Sequence, residues 1–95
     1  MAKLKDLKLF LGFNNLGNNG CQVILNIVIK LKRLISLIIH MNSNNIFNDG
    51  IKILISNKID LFDKLDTFLL KLSDNPIDDE CRNILETIYR KRIIF

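Results

Sequence analysis

The side chains best suited to acid–base, nucleophilic or metal chemistry in this sequence are His40, Cys21 and Cys81. A histidine becomes catalytic when a nucleophile and a carboxylate are placed around it, and the sequence pattern places neither near His40. Neither cysteine has a second Cys or His at the spacing of a metal site, and two cysteines do not make a disulfide framework. We therefore predict that the chain is not an enzyme and holds no metal or cofactor. His40 is expected at the surface, and the two cysteines are expected to be buried, inert thiols.

The spacing of asparagines carries more information than these three residues. Asn14, Asn44 and Asn75 lie 30 and 31 residues apart, and each follows a stretch in which apolar and other residues alternate. An asparagine amide both accepts and donates hydrogen bonds, so it can satisfy backbone groups where a chain leaves a strand. The sequence therefore predicts one domain, residues 1–95, built from three repeats at about residues 4–33, 34–64 and 65–95.

Each repeat is predicted to contain a short strand, a turn and a helix. Alternation from Leu7 to Leu11 indicates a strand with one buried face. Cap-type residues then precede a segment with apolar residues three or four apart, which is typical of an amphipathic helix. Gly20 and Gly50 recur at its start and Cys81 replaces them in the third repeat, where any special backbone angle must be relaxed or strained. Asn-Gly and Asp-Gly pairs also favour β-hairpins, which remain an alternative. The helical spacing rests on these residues: Ile24, Val28 and Leu31; Leu54, Ile55, Ile59 and Phe62; Ile84, Leu85, Ile88 and Tyr89.

These repeats resemble the leucine-rich repeats, in the long form of ribonuclease-inhibitor-like proteins. The resemblance covers nearly the whole chain, but the first leucine of the family motif is missing in all three repeats, as though each strand were extended. It implies an α/β solenoid, a right-handed β-α superhelix with a parallel sheet on its concave side and helices on its convex side. The positions that match the motif are Leu9, Leu11, Asn14 and Leu16; Ile39, Met41, Asn44 and Ile46; Leu70, Leu72, Asn75 and Ile77.

The net charge of +4 does not by itself predict a nucleic-acid partner. Lys30, Lys32 and Arg33 lie near the end of the first predicted helix, and the basic run 90–92 lies near the end of the third, where the helix dipole favours cations. We expect no nucleic-acid binding, although a weak role at an anionic surface stays open. The uncharged stretch 9–29 is rich in Asn and is a poor candidate for a membrane span. The absence of a secretory signal pattern predicts an intracellular, cytoplasmic protein.

The ends of the repeat array are predicted to be uncapped. Ile93, Ile94 and Phe95 resemble the beginning of a fourth strand and are matched to the apolar run 34–37. Repeat arrays need polar caps at their ends. The chain is therefore expected to be a fragment or shortened copy of a longer array, to self-associate through its ends, or to be marginally stable.

Leucine-rich repeats usually bind other proteins on the concave strand face, and the resemblance implies a non-enzymatic protein–protein interaction module. The alternatives are a regulator of a small GTPase, a nuclease inhibitor, which the positive charge disfavours, and a truncated array without an independent role. Phe10 and Phe13 have a second interpretation, in which they pack against a neighbouring repeat or cap. The residues predicted to face a partner are Lys8, Phe10, Phe13, Ile38, His40, Asn42, Leu69, Lys71 and Ser73.

Overall fold

A computed structural model describes residues 4–56 and 65–95 of the chain. Strands and helices alternate along it, as predicted. The elements are β1 (Asp6–Phe10), α1 (Gly17–Val28), β2 (Ser36–His40), α2 (Asn48–Ile51), α3 (Ile53–Ser56), β3 (Thr67–Lys71), α4 (Asp79–Tyr89), a 3-10 turn (Arg90–Arg92) and β4 (Ile93–Ile94).

The four strands form one parallel sheet in the order β1-β2-β3-β4. Its register follows the predicted repeat spacing, because Phe10 pairs with His40 and His40 pairs with Lys71. The fourth strand is confirmed, but its match to residues 34–37 is wrong. Ile93 pairs with Leu70, so it occupies the position of the buried residue near the end of each strand. The mismatch arises because a single 3-10 turn joins α4 to β4, which makes this connection shorter than the one between α1 and β2.

Alternate strand residues point towards the helices and form the core. Leu37, Ile39 and Leu70 are fully buried and join Leu25 of α1 and Leu85 of α4 in one apolar cluster. Burying one such side chain contributes about 1.5–3 kcal/mol. This packing explains the apolar alternation read in the sequence, since a strand with one covered face needs apolar residues only at every second position.

The segments after the turns are helical, and the hairpin alternative is wrong. Helix α1 is continuous, whereas the second helical segment is divided at Lys52 into α2 and α3. The predicted apolar positions Ile59 and Phe62 lie outside the described residues. Helix α4 buries Leu85 and Tyr89.

Gly20 and Gly50 are needed for space and not for an unusual backbone angle. Both lie in helices, and neither has a positive φ. A methyl group on Gly50 would lie 2.7 Å from Oδ1 and 3.2 Å from Cα of Asn18, in the preceding repeat. On Gly20 it would lie 2.9 Å from Cβ of Leu16. Cys81 occupies the corresponding place in α4, so the third repeat tolerates a side chain there without a left-handed backbone.

Candidate functional site

Each buried asparagine closes the turn of the repeat before its own. Asn44 is fully buried, and its Oδ1 accepts hydrogen bonds from the backbone N–H groups of Asn14 (2.9 Å) and Leu16 (3.1 Å). Its Nδ2 donates to the carbonyl oxygens of Leu11 (2.7 Å) and Asn42 (3.1 Å). One side chain therefore satisfies four backbone groups, three of them in the first repeat.

Asn75 repeats this arrangement one unit later and in a more enclosed place. Its Oδ1 accepts from the backbone N–H groups of Asn44 and Ile46, both at 2.9 Å. Its Nδ2 donates to the carbonyl oxygens of Met41 (2.9 Å) and Leu72 (3.0 Å). Asn14 differs, because it is exposed and, within the described residues, its side chain donates only to the Gly12 carbonyl, at 3.1 Å. The predicted role of these asparagines in the turns agrees with this geometry.

A second ladder of asparagine contacts, which was not predicted from the sequence, joins the starts of the helices. Asn18 and Asn48 are not caps of their own helices. Asn18 Oδ1 accepts from the Phe47 backbone N–H at 2.7 Å, and Asn48 Oδ1 accepts from the Asp78 backbone N–H at 3.1 Å. Only Asp78 caps its own helix among these three, accepting from the backbone N–H of Cys81 at 2.8 Å. The spacing of residues 18, 48 and 78, which is 30 each time, was the signal available in the sequence.

The pKa of Asp78 reflects its place at the end of this ladder. The hydrogen bond from the Cys81 backbone N–H, followed by that from the Asn48 side chain, lowers the pKa of the Asp78 carboxyl below its ordinary value. Both bonds favour the ionised form, because a carboxylate accepts them better than a neutral carboxyl group does.

We call the outward-facing side of the sheet, with the turn residue Phe13, the open face. Its longest row follows the strand register through Phe10, His40, Lys71 and Ile94. The Phe10 and His40 rings lie edge to face, with centroids 4.8 Å apart at 83°. Phe10 thus contacts the neighbouring repeat through His40 and nevertheless remains 67% exposed. A second row contains Lys8, Ile38 and Leu69.

Phe13 is the most exposed aromatic side chain among the described residues, at 78%. Its φ is +62°, in the left-handed region that a bulky side chain rarely adopts. Ser43 and Asp74 stand at the same point of the next two turns, with φ of +56° and +59°. Small polar residues suit this backbone, so the aromatic ring is the exception among the three turns.

The predicted partner-facing residues divide by exposure. Lys8, Phe10 and Phe13 are exposed, and the other six are half-buried. His40, expected at the surface, is thus partly covered. The half-buried residues are Ile38, His40, Asn42, Leu69, Lys71 and Ser73.

The two thiols agree with the prediction of buried, unpaired cysteines. Cys21 and Cys81 are free and buried. Burial raises the pKa of Cys21 to about 12. Burial, and then the charges of Asp78 and Glu80, raise the pKa of Cys81 above its ordinary value. Since the thiolate is the reactive form, both side chains are poor nucleophiles near neutral pH.

Within residues 4–56 and 65–95, no group of three or more His, Cys, Asp or Glu side chains could hold a metal ion. No helix in the described part of the chain has the length and apolar character needed to cross a membrane. Comparison of the chain with family models, curated proteins and solved structures finds no match.

Proposed function

We propose that this chain is a leucine-rich-repeat solenoid that acts as a non-enzymatic protein–protein interaction module and binds its partner on the open face. The repeat assignment is supported by the parallel register of strands 30 and 31 residues apart and by the buried asparagines that close successive turns. In such a solenoid the open face is the concave surface, and the helices form the convex one.

The observation that carries the binding proposal is Phe13. A left-handed backbone conformation is unfavourable for a residue with a Cβ. Exposing a large apolar ring to water is also unfavourable, because the ring forgoes the free energy of burial. Both costs fall on one residue, although Ser43 and Asp74 show that small polar residues serve at the equivalent places. Residues held in such conformations cluster at binding and catalytic sites, where the surroundings or a ligand compensate.

The neighbouring side chains complete a surface of the kind that proteins recognise. Phe10 stands over the ring of His40, and half-buried Ile38 and Leu69 lie one row away. An exposed aromatic residue beside apolar neighbours has the composition of an interface hot spot. Regulation of a small GTPase remains an alternative prediction without an observation that favours it.

The test compares three forms of the chain as immobilised baits in an extract of its source organism, followed by titration of the purified candidate partner. In the open-face variant, Phe10→Ala is combined with Phe13→Asn, which suits the left-handed backbone. The control is Val23→Ala, which removes part of an exposed apolar side chain from α1, away from the open face.

We expect a partner that binds the wild type and the Val23→Ala control equally. The open-face variant should bind at least tenfold more weakly, because aromatic hot-spot residues typically contribute about 2 kcal/mol or more. Circular dichroism should show unchanged folding of both variants. A partner that binds all three forms with equal affinity would place the interaction elsewhere on the molecule, and the proposal would fail.

A further inference from the structure

Basic residues gather at one edge of the molecule, where the strands begin. Because the sheet is parallel, the connections that lead into its strands meet at the same edge. Lys5 directly precedes β1, and its carbonyl oxygen accepts from the backbone N–H of Ile35 at 2.7 Å, which fixes the first two strand starts side by side. The exposed cations at this edge, which we call the basic edge, are Lys5, Lys30, Lys32, Arg33, Arg90 and Lys91.

The acidic residues of the described chain concentrate at the opposite edge. At the basic edge, the exposed acids are Asp6, Asp66 and Glu86. Five exposed carboxylates lie where the strands end and the helices begin, so the excess of negative charge is at the edge opposite the excess of positive charge. These carboxylates are Asp49, Asp74, Asp78, Asp79 and Glu80.

Exposed aliphatic side chains lie among the cations of the basic edge. Ile27 and Ile88 stand in the last turns of α1 and α4 and are 53% and 48% exposed. Ile35, at the start of β2, is 43% exposed. Two of these isoleucines thus occupy the same place in two different repeats.

We infer that the basic edge is a docking surface for an anionic lipid bilayer, which the chain contacts without crossing. Cationic side chains are attracted to the acidic headgroups, and neighbouring aliphatic side chains can enter the boundary between headgroups and acyl chains. The carboxylates at the opposite edge orient the molecule, because the anionic bilayer repels them while it attracts the basic edge.

A nucleic acid is the other large anion to consider, and the composition of the edge disfavours it. Binding of single strands relies on aromatic side chains that stack with bases. Tyr89, the last residue of α4, is aromatic but buried. The exposed aromatic rings Phe10 and Phe13 belong to the open face. A polyphosphate backbone offers no apolar surface for the exposed isoleucines to contact, whereas a bilayer has an apolar layer directly beneath its charged headgroups.

The experiment is flotation with vesicles of phosphatidylcholine alone or with about one-quarter phosphatidylserine, at low and at high salt. The edge variant Lys32→Ala/Arg33→Ala removes two positive charges from the basic edge. Its control, Asn15→Asp/Asn19→Asp, lowers the net charge by the same amount at the acidic side. Asn15 has a φ of +51°, which Asp tolerates, and both control residues are exposed.

We expect the wild type and the control to float with the vesicles that contain phosphatidylserine and not with pure phosphatidylcholine. The edge variant should partition about 25-fold more weakly, since each of the two removed cations contributes about a factor of five near an acidic membrane. Equal losses in the edge variant and the control would show a response to net charge alone and would overturn the inference. Failure of the wild type to float at low salt would overturn it as well.

A second pair of variants tests the apolar part of the surface. Ile27→Gln/Ile88→Gln should remove most of the binding that persists at high salt. Val23→Gln/Ile84→Gln, which alters exposed apolar residues one turn earlier on the same helices, should leave it unchanged. If a short duplex DNA or inorganic phosphate bound the wild type and vesicles did not, the surface would be an anion site of another kind and the bilayer would be excluded.

Discussion

Replacing the repeated asparagines one at a time by alanine should reveal how strongly each turn depends on the repeat that follows it. Asn75→Ala leaves two buried backbone N–H groups, those of Asn44 and Ile46, without their acceptor, together with the Met41 carbonyl oxygen. An unsatisfied buried donor costs about 1–3 kcal/mol, so we expect a loss of about 4 kcal/mol. That is a large fraction of the roughly 5–15 kcal/mol by which small domains are stable.

Asn44→Ala should cost less, and Asn14→Ala least of the three. The N–H groups that Asn44 satisfies, those of Asn14 and Leu16, are only partly buried, so water can replace the lost acceptor. We expect a loss of about 2–3 kcal/mol. Asn14 is exposed and makes a single side-chain hydrogen bond, to the carbonyl oxygen of Gly12, and its loss should change stability by about 0.5 kcal/mol or less.

The assay is urea denaturation followed by circular dichroism at constant pH and salt. An unchanged slope with urea would indicate that the midpoint shift measures stability and not a change in the surface exposed on unfolding. The order Asn75, Asn44, Asn14 is the essential result. If Asn14→Ala destabilises the chain as much as Asn75→Ala, the asparagines act within their own repeats and the reasoning is refuted.

Three further perturbations test other parts of the structure. Gly50→Ala should destabilise the chain by about 1–3 kcal/mol, because the added methyl overlaps the preceding repeat, and an unchanged urea midpoint would contradict this. The Cys21 thiol, with its pKa raised to about 12, should resist iodoacetamide at mildly alkaline pH until the chain unfolds, and rapid labelling of the native chain would contradict its burial. The pKa of Asp78 is lowered in the folded state because the carboxylate accepts a backbone and a side-chain hydrogen bond. The ionised Asp78 therefore stabilises the folded chain above pH 3.8, and this stabilisation is lost as the pH falls through the lowered pKa. Acid titration of stability should therefore be shallower for Asp78→Ser than for the wild type, and coincident curves would contradict the linkage.

The sequence predicted the elements whose cause is local and repeated. Alternation identified the strands, and the spacing of Asn14, Asn44 and Asn75 predicted which strand residues pair across the sheet. Both signals are visible because every repeat needs apolar residues on the covered face of its strand and an amide that can hydrogen-bond the turn.

Other features depend on contacts between repeats that a single repeat does not reveal. Asn18 and Asn48 have the composition of helix caps, yet their amides reach the backbone of the next repeat. The register of β4 follows from the short connection after α4, and periodicity does not specify connection length. The importance of Phe13 for the binding proposal likewise rests on its positive φ, which cannot be predicted from the residue type.

The buried asparagines Asn44 and Asn75 make each turn depend on the repeat that follows it. Because Asn75 closes the turn of the second repeat and Asn44 that of the first, a lesion in a later repeat loosens the one before it. The reverse influence through these side chains is weak, since Asn14 donates only within its own turn. Hydrogen exchange should therefore show that substitutions near the third turn accelerate exchange at residues 41–46, whereas substitutions in the first turn leave the third repeat protected. The turns therefore depend on the repeat that follows them, whereas the helix starts depend, through Asn18 and Asn48, on the repeat that precedes them.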